Sequence, residues 1–197
     1  MGRPWRARSS CGVSRRRYVS QRGGPRYSPT EEGLERVDIP DQGAPIRLER
    51  EGYRISTDPS ELDLGVIHGY LKESYWAAGV PEEVVRRSIE NSLCFGVYRD
   101  GEQVGFARVI TDRATFAYLA DVFVLEEHRG RELGKWLVEV ILSHPDLQGL
   151  RRWMLATRDA HELYRRYGFA GLGRPEIFME IVSPYTVEDA PEGAPLP

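Results

Sequence analysis

The sequence predicts a single α/β domain of the α+β kind, in which a mixed, mostly antiparallel central sheet is flanked by helices. Two observations predict it. Short apolar runs with strand-like composition are interleaved with stretches whose apolar residues recur at helical spacing. Asp100-Gly101 joins two neighbouring runs and is a strong hairpin signal, which indicates antiparallel pairing. The predicted order is β-α-α-β-β-β-α-β-α-β, with one further short strand at 169–172.

The domain is predicted to occupy residues 49–183. The preceding segment, 1–48, holds eight arginines among its first 30 residues and little apolar periodicity, so we expect a disordered N-terminal extension. The final segment, 184–197, contains proline and glutamate and is expected to be a disordered tail. A chain of 197 residues, 41% of them hydrophobic, suffices for one well-cored domain between such tails.

The first third of the domain is predicted to contain one strand and two helices. The strand is short and covers 53–57. Residues 64–78 have apolar positions at helical spacing, and Gly79 ends this helix. Pro81 begins the second helix, because proline is favoured in a first turn where its missing N–H is not needed.

The rest of the domain is predicted to be a three-stranded meander followed by a helix, a strand, a helix and a last strand. Gly168 is placed just after the last helix, where a left-handed residue commonly ends it. The predicted strands are 93–98, 104–111, 116–125, 152–156 and 176–182, and the predicted helices are 131–143 and 160–167.

The distribution of charge narrows the classes of function. The whole chain has a formal net charge of −3, but from residue 49 onward 17 Lys and Arg stand against 25 Asp and Glu. An acidic domain argues against a nucleic-acid partner and would attract a cationic substrate such as an amine, although the same charge also serves solubility. No apolar run approaches the ~18 residues of a membrane-spanning helix, so no membrane partner is predicted.

The cysteines predict neither a metal site nor a disulfide framework. Cys11 and Cys94 are far apart in the sequence, and no cluster of cysteine and histidine has the spacing of a zinc site. This usage is compatible with a reducing compartment, and a cytoplasmic location is expected.

The segment 121–137 combines an apolar strand, a basic glycine turn and the start of an amphipathic helix. The first N–H groups of a helix have no intrahelical partner and carry the positive end of the helix dipole, so this order builds an anion site. The turn also carries positive side chains. The residues predicted to form the anion site are Arg129, Gly130, Arg131, Glu132, Leu133, Gly134 and Lys135.

This segment resembles the acetyl-CoA pyrophosphate loop of the GCN5-related N-acetyltransferases (the GNAT superfamily), with the pattern Arg/Gln-x-x-Gly-x-Gly/Ala. Arg129 and Gly134 fit the pattern, but Glu132 stands where the family usually has its first glycine. The resemblance implies the GNAT fold, acetyl-CoA as cosubstrate, and pantetheine bonded to strand backbone near Phe123 and Val124. Glu132 raises the hypothesis that a glycine at this position would bind acetyl-CoA more tightly.

A second motif, Ala-His-Glu-Leu-Tyr-Arg-Arg-Tyr-Gly-Phe at 160–169, resembles the family's Ala-x-x-Leu-Tyr-x-x-x-Gly-Phe helix. The resemblance places Tyr164 near the thioester sulfur, where a phenol can protonate the departing thiolate as a general acid. The alternative is an aromatic core residue. Thr157 or Asp159 lies near the position of a family asparagine that bonds the pantetheine arm.

The general base is assigned to Asp121, because a carboxylate within an otherwise apolar strand is unusual. Its alternative role is a structural partner for an arginine such as Arg108. The resemblance implies substrate contacts from the first helices and the hairpin between the third and fourth family strands, which here offer Tyr70, Tyr75, Trp76, Arg108, Asp112 and Arg113. Arg108 and Arg113 could hold a carboxylate of an amino-acid-like acceptor, whereas Asp112 would argue for a second amine. The aromatic pair is equally compatible with core packing.

The sequence therefore predicts a cytoplasmic, metal-independent N-acetyltransferase. Its acceptor is expected to be the primary amine of a small or amino-acid-like molecule, which attacks directly in a ternary complex. One alternative is acetylation of a protein N-terminus or lysine. Another is a non-catalytic CoA-binding regulatory module. A homodimer is an open expectation, because the last strand often pairs across dimers in this family.

Overall fold

A computed structural model describes residues 45–183 and 185 of the chain. The predictions of disorder for 1–44, 184 and 186–197 lie outside these residues. The described strands are β1 Arg47–Arg50, β2 Tyr53–Ser56, β3 Leu93–Arg99, β4 Glu102–Thr111, β5 Phe116–Val124 and β6 Arg152–Met154. The described helices are α1 Leu64–Leu71, α2 Glu82–Glu90, α3 Leu133–Ser143 and α4 His161–Arg165.

The six strands form one sheet in sequence order, and this confirms the predicted class of fold. All neighbouring pairs from β1 to β5 are antiparallel, whereas β5 and β6 are parallel. The β3–β4 turn is the predicted hairpin: Asp100 and Gly101 have φ angles of 51° and 89°, as a two-residue turn of the primed kind requires.

The pairing of β5 with β6 stops early and opens a cleft in the sheet. Only Phe116, Ala117 and Tyr118 pair with β6. The rest of β5, up to Val124, has no strand beside it on that edge among the described residues. Its outward backbone groups are therefore available to another partner, because a strand edge presents unpaired N–H and C=O groups.

Helices cover both faces of the sheet. Successive side chains of a strand point to opposite faces, so Phe95 and Val97 of β3 join one core cluster together with most of α3. Cys94 of β3 and Phe106 of β4 join a second cluster with residues of α1 and α2. The end of β5 thus lies between α1 on one face and the start of α3 on the other.

The structure differs from the predicted elements at both ends of the domain and in helix α1. Strand β1 was not predicted, and it crosses the boundary placed between residues 48 and 49; it is tied to the end of β2 by the Thr57 N–H, which donates to the Ile46 carbonyl at 3.0 Å. Helix α1 ends at Leu71 instead of Ala78, and the following turn closes where the Gly79 N–H donates to the Lys72 carbonyl at 2.9 Å.

The predicted last strand, 176–182, is wrong. A 3-10 turn, Pro175–Ile177, opens this segment, and Met179 and Ile181 are 99% and 97% exposed. Alternating apolar residues show which face a strand would bury, but they do not supply a neighbouring strand to pair with. The extra strand expected at 169–172 is also not formed. No helix in the described part of the chain is long and apolar enough to cross a membrane.

Candidate active site

The glycine turn after β5 leads directly into α3, as predicted. A 3-10 turn, Glu126–His128, follows β5, and Gly130 has a φ of 74°, a left-handed conformation that glycine adopts without strain. Helix α3 has no side-chain cap at its N-terminus. Its first N–H groups therefore face outward without a side-chain partner, and this is the arrangement that binds phosphate groups.

Glu132 occupies the N-cap of α3 in a left-handed conformation, with φ 60° and ψ 8°. This is a glycine conformation, and a Cβ makes it unfavourable. The carboxylate hydrogen-bonds to Lys135, and this contact is the largest cause that lowers the pKa of Glu132. Glu132 therefore both strains the turn and engages a lysine of the predicted anion site.

The backbone at the end of β5 presents Val124 to the cleft. The Phe123 carbonyl faces β4, where it lies 2.9 Å from the site of a Cβ on Gly105. Because backbone groups alternate along a strand, the Val124 carbonyl points to the opposite, open edge. Arg129 Nε donates to this carbonyl at 3.0 Å. Of the two predicted strand residues, Val124 thus turns its backbone to the open edge, where its carbonyl already accepts from Arg129, whereas the ring of buried Phe123 stacks on Tyr70.

Arg129 connects the cleft edge to helix α1. Its Nη2 donates to the Tyr70 hydroxyl at 3.1 Å, and the Tyr70 ring stacks on Phe123 with centroids 3.9 Å apart. The Arg129 guanidinium also pairs with Glu126 at 3.1 Å. The first residue of the glycine motif is therefore already engaged with the strand and with α1.

A second contact joins the 3-10 turn after β5 to strand β2. The Tyr53 hydroxyl of β2 and His128 Nδ1 are hydrogen-bonded at 3.0 Å, and the two rings meet edge to face with centroids 5.7 Å apart. The Arg99 guanidinium lies over the Tyr53 ring at 4.9 Å. This arrangement anchors the 3-10 turn that places Arg129 and Gly130.

Tyr164 is buried in α4, only 7% exposed, and meets the ring of Phe169 edge to face. Burial raises the pKa of Tyr164 to about 12, and the nearby Tyr75 and Asp159 contribute in the same direction. The hydroxyl therefore stays protonated at neutral pH, as a proton donor must. Tyr167, one helical turn away, instead donates to the Lys135 carbonyl at 3.2 Å and to Glu139 at 3.0 Å.

Asp121 sits at an irregularity of β5. The β4–β5 register shifts beside it, and its φ of 54° is uncommon for a residue other than glycine. Its Oδ2 pairs with Arg108 Nε, and its Oδ1 accepts from Trp76 Nε1 at 3.2 Å. The side chains of the ion pair are 17% and 10% exposed for Arg108 and Asp121. The structure thus forms the ion pair that the sequence offered as the alternative to a base.

The turn after α1 places two aromatic side chains at the surface. Tyr75 and Trp76 are 44% and 40% exposed and meet edge to face with centroids 4.9 Å apart. The Tyr75 hydroxyl accepts from the Arg158 N–H at 2.9 Å, and the Arg158 guanidinium lies 3.8 Å from the centre of the Tyr75 ring. We call the set Tyr75, Trp76, Asp121 and Arg158 the aromatic wall. It runs from β5 to the loop after β6.

Three further predicted site residues, Asp112, Thr157 and Asp159, lie in turns of the structure. Asp112 is in the β4–β5 turn, where its carboxylate accepts from three backbone N–H groups and the Thr115 hydroxyl, and these bonds hold its pKa well below the usual range. The structure does not bring it to the wall. Thr157 caps the turn before α4 by accepting from the Ala160 N–H at 3.0 Å, and Asp159 is exposed beside it.

Sequence reasoning offered Tyr70 as a substrate contact but did not identify its bond to Arg129, and it did not identify Tyr53 or Arg158. Each comes from an element distant in sequence from its partner, and no local spacing signals such contacts. Within the described residues, no group of three or more His, Cys, Asp or Glu side chains is arranged to hold a metal ion.

Comparisons with known proteins agree with this geometry. Residues 90–170 match the model of an acetyltransferase (GNAT) domain. A relative from Gibberella zeae, whose name assigns it provisionally to the acetyltransferases, is 35% identical in a 143-residue alignment that covers 61% of this chain and 80% of the relative.

Solved structures show the same fold. A provisionally named acetyltransferase of the GNAT family from Xanthomonas campestris pv. campestris is 55% identical, with a TM-score of 0.66 over 68% of this chain and 94% of the other. A predicted acetyltransferase from Clostridium acetobutylicum, solved with acetyl-CoA, is 14% identical, with a TM-score of 0.50 over 66% and 94% of the two chains. The chain therefore belongs to the GNAT family of acetyltransferases, a family that uses acetyl-CoA.

Proposed function

We propose that this protein transfers an acetyl group from acetyl-CoA to the primary amine of a small-molecule acceptor. One observation carries the proposal: the open edge of β5 at Val124 leads into the N-terminus of α3, which lacks a side-chain cap, and Tyr164 of α4 belongs to the core cluster that contains Leu133 of α3. Backbone groups that hold a pantetheine arm and a diphosphate, next to a protonated phenol, suit thioester chemistry.

The residues present fit acetyl-CoA. The diphosphate would lie on the N–H groups between Gly130 and Lys135, with Arg131 contributing charge. The Val124 backbone would hold the pantetheine amides, with Thr157 or Asp159 on the other side of the arm. Both contacts are made mainly by backbone, so they tolerate apolar side chains such as that of Leu133.

Tyr164 is the proposed general acid. When bound, acetyl-CoA supplies an acetyl group activated on sulfur, which a deprotonated amine accepts with release of the CoA thiol. The Tyr164 hydroxyl stays protonated well above neutral pH and can deliver the proton that the thiolate needs. The N–H groups at the edge of β5 are placed to stabilise negative charge that develops on the acetyl oxygen.

Asp121 is the proposed base, and its ion pair with Arg108 is the competing structural role. A base that removes a proton from the ammonium group of the acceptor should leave a pH signature. In an Asp121→Asn variant the acid limb of the kcat/KM profile would then move to higher pH, whereas a purely structural role would lower stability and leave the profile in place.

The test of the proposed function is a screen of primary amines, amino acids and short peptides with acetyl-CoA, in which release of the CoA thiol is measured. Turnover with small amines supports the proposal, and turnover with peptides alone favours a protein acetyltransferase. Binding of acetyl-CoA by calorimetry without turnover on any acceptor would indicate a regulatory module. A cytoplasmic location and a homodimer remain predictions that fractionation and light scattering can test.

A further inference from the structure

The arginines considered for binding an acceptor's carboxylate are already neutralised. Arg108 pairs with Asp121, and Arg113 pairs with Asp146 at 3.0 Å. Arg108 also donates to the Ser92 hydroxyl at 3.3 Å. A guanidinium with a carboxylate partner has little charge to offer a second one, so neither arginine is suited to recognise an anionic substrate.

Arg158 differs from both. It lies in the loop after β6 and is exposed, and among the described residues no carboxylate forms an ion pair with it. Its position is nevertheless defined, because the Tyr75 ring stacks against the guanidinium at 3.8 Å and the Tyr75 hydroxyl accepts from its backbone N–H at 2.9 Å. Stacking on an aromatic face leaves the edge donors of a guanidinium free for hydrogen bonding.

The location of Arg158 relates it to the reaction. Arg158 lies in the loop that leads into α4, the helix that carries Tyr164, and its stacking partner Tyr75 adds to the effect of burial in raising the pKa of that phenol. Trp76, the neighbour of Tyr75, is bonded to Asp121 at 3.2 Å. The aromatic wall thus has a carboxylate at one end, an unpaired guanidinium at the other, and the proposed general acid beside it.

We propose that Arg158 is a specificity-determining residue that binds a carboxylate of the acceptor, so that the substrate class is amines that also carry a carboxylate, such as α-amino acids. This inference rests on the proposed function. A planar guanidinium matches a carboxylate with two parallel hydrogen bonds, which a neutral amide cannot reproduce. Because the rest of the domain is acidic, an unpaired cation here also gives an anionic acceptor a local point of attraction.

The experiment compares L-amino acids with their carboxamides as acceptors, for example L-methionine with L-methioninamide and L-phenylalanine with L-phenylalaninamide. The wild-type protein should favour the acid in each pair by roughly tenfold or more in kcat/KM. In Arg158→Gln this preference should disappear, while the KM for acetyl-CoA changes less than about twofold. Arg158→Lys should restore part of the preference, since it keeps the charge and loses the two-point geometry.

Arg151→Gln is the matched control. Arg151 is also exposed but precedes β6, at the opposite end of that strand from Arg158, so its variant should behave as the wild type. A preference that survives in Arg158→Gln would overturn the inference, as would a wild-type preference for the carboxamides. An increase in the KM for acetyl-CoA with every acceptor would place Arg158 at the cofactor instead.

Failure of the proposed function gives a different result. If no acceptor is acetylated, the same pairs are titrated by calorimetry onto the protein saturated with CoA. Binding of the acids but not the carboxamides, lost in Arg158→Gln, would support the carboxylate site and contradict the proposed reaction. No binding of the acids would overturn the inference.

Discussion

The glycine turn follows the end of β5, the aromatic wall reaches the same strand at Asp121, and the two are built by different means. The turn relies on backbone N–H groups, one left-handed glycine and a helix terminus. The wall relies on side chains that come from the α1–α2 turn, from β5 and from the loop after β6. In the proposed function the turn would bind acetyl-CoA, which the family shares, whereas the side chains of the wall would contact the acceptor.

This difference suggests that the cofactor and the acceptor are recognised in two different ways. Backbone geometry is common to all sequences that adopt the fold, so it suits a constant ligand such as a diphosphate. Side-chain chemistry is particular to one sequence, so it suits the ligand that varies, the acceptor. Variants at the turn should therefore alter affinity for acetyl-CoA, and variants at the wall should alter turnover and choice of acceptor.

The largest expected effect is on turnover at Tyr164. Tyr164→Phe keeps the ring packed against Phe169 and removes the proton donor, so kcat should fall by roughly 100-fold to 10,000-fold. Calorimetry should show an unchanged Kd for acetyl-CoA. Full kcat in this variant would remove the assignment of Tyr164 as the acid.

The pH dependence of the same group offers a separate check. Burial disfavours the phenolate and raises the pKa of Tyr164 to about 12, so the acid form persists throughout the alkaline range in which assays are practical. Loss of this proton should therefore produce no decline in kcat between pH 7 and about pH 10. An alkaline decline near pH 9 that is absent from Tyr164→Phe would contradict the burial described here.

The second effect is on stability at the wall. Asp121→Asn leaves the half-buried Arg108 charge without its partner, which should cost about 3 kcal/mol in the free energy of unfolding. Asp146→Asn is the control, because its pair with Arg113 is more exposed and should contribute less than about 1 kcal/mol. Urea unfolding of the wild type and the two variants measures both changes in the free energy of unfolding. Equal losses in the two variants would show that the Arg108–Asp121 pair stabilises the fold no more than the exposed Arg113–Asp146 pair does.

A smaller effect, on the affinity for acetyl-CoA, is expected at Glu132 in the glycine turn. Glu132→Gly removes a Cβ from a left-handed position and frees Lys135, so acetyl-CoA should bind roughly fivefold to tenfold more tightly. Glu132→Gln retains the Cβ and removes the charge, and it therefore separates the two causes. Equal or weaker binding of acetyl-CoA by the glycine variant in calorimetry would contradict the hypothesis that Glu132 limits affinity.

The smallest effect, also on the affinity for acetyl-CoA, is expected at Tyr53, which contacts the 3-10 turn through His128. Tyr53→Phe loses the hydrogen bond to His128 and should weaken acetyl-CoA binding by about twofold to fivefold, with kcat unchanged. Tyr98→Phe is the matched control, because the buried Tyr98 hydroxyl has no hydrogen-bond partner among the described residues. Removal of the Tyr98 hydroxyl should leave the affinity for acetyl-CoA unchanged. A similar decrease in affinity in Tyr53→Phe and Tyr98→Phe would contradict a specific role for Tyr53.

The predicted elements show where local reasoning succeeds. The hairpin at Asp100-Gly101, strands β3 to β5 and the helix after the glycine turn were all predicted, because turn chemistry and apolar periodicity are local. The strand expected at 176–182 failed for the opposite reason, since its apolar alternation needed a neighbouring edge that the described structure does not provide. Helix α1 ends at Leu71, and Tyr75 and Trp76 beyond it contact Arg158 and Asp121, partners that no local pattern could indicate.

The sequence by itself determined the order of elements from β2 to α4, the glycine turn and the helix that carries Tyr164, because each depends on residues a few positions apart. Only the tertiary structure decided the partners of Asp121, the left-handed backbone of Glu132 and the stacking of Arg158 on Tyr75. These contacts join residues that are remote along the chain, and their geometry depends on how the sheet opens between β5 and β6. The class of reaction is indicated by the first set, and the proposed choice of acceptor rests on the second.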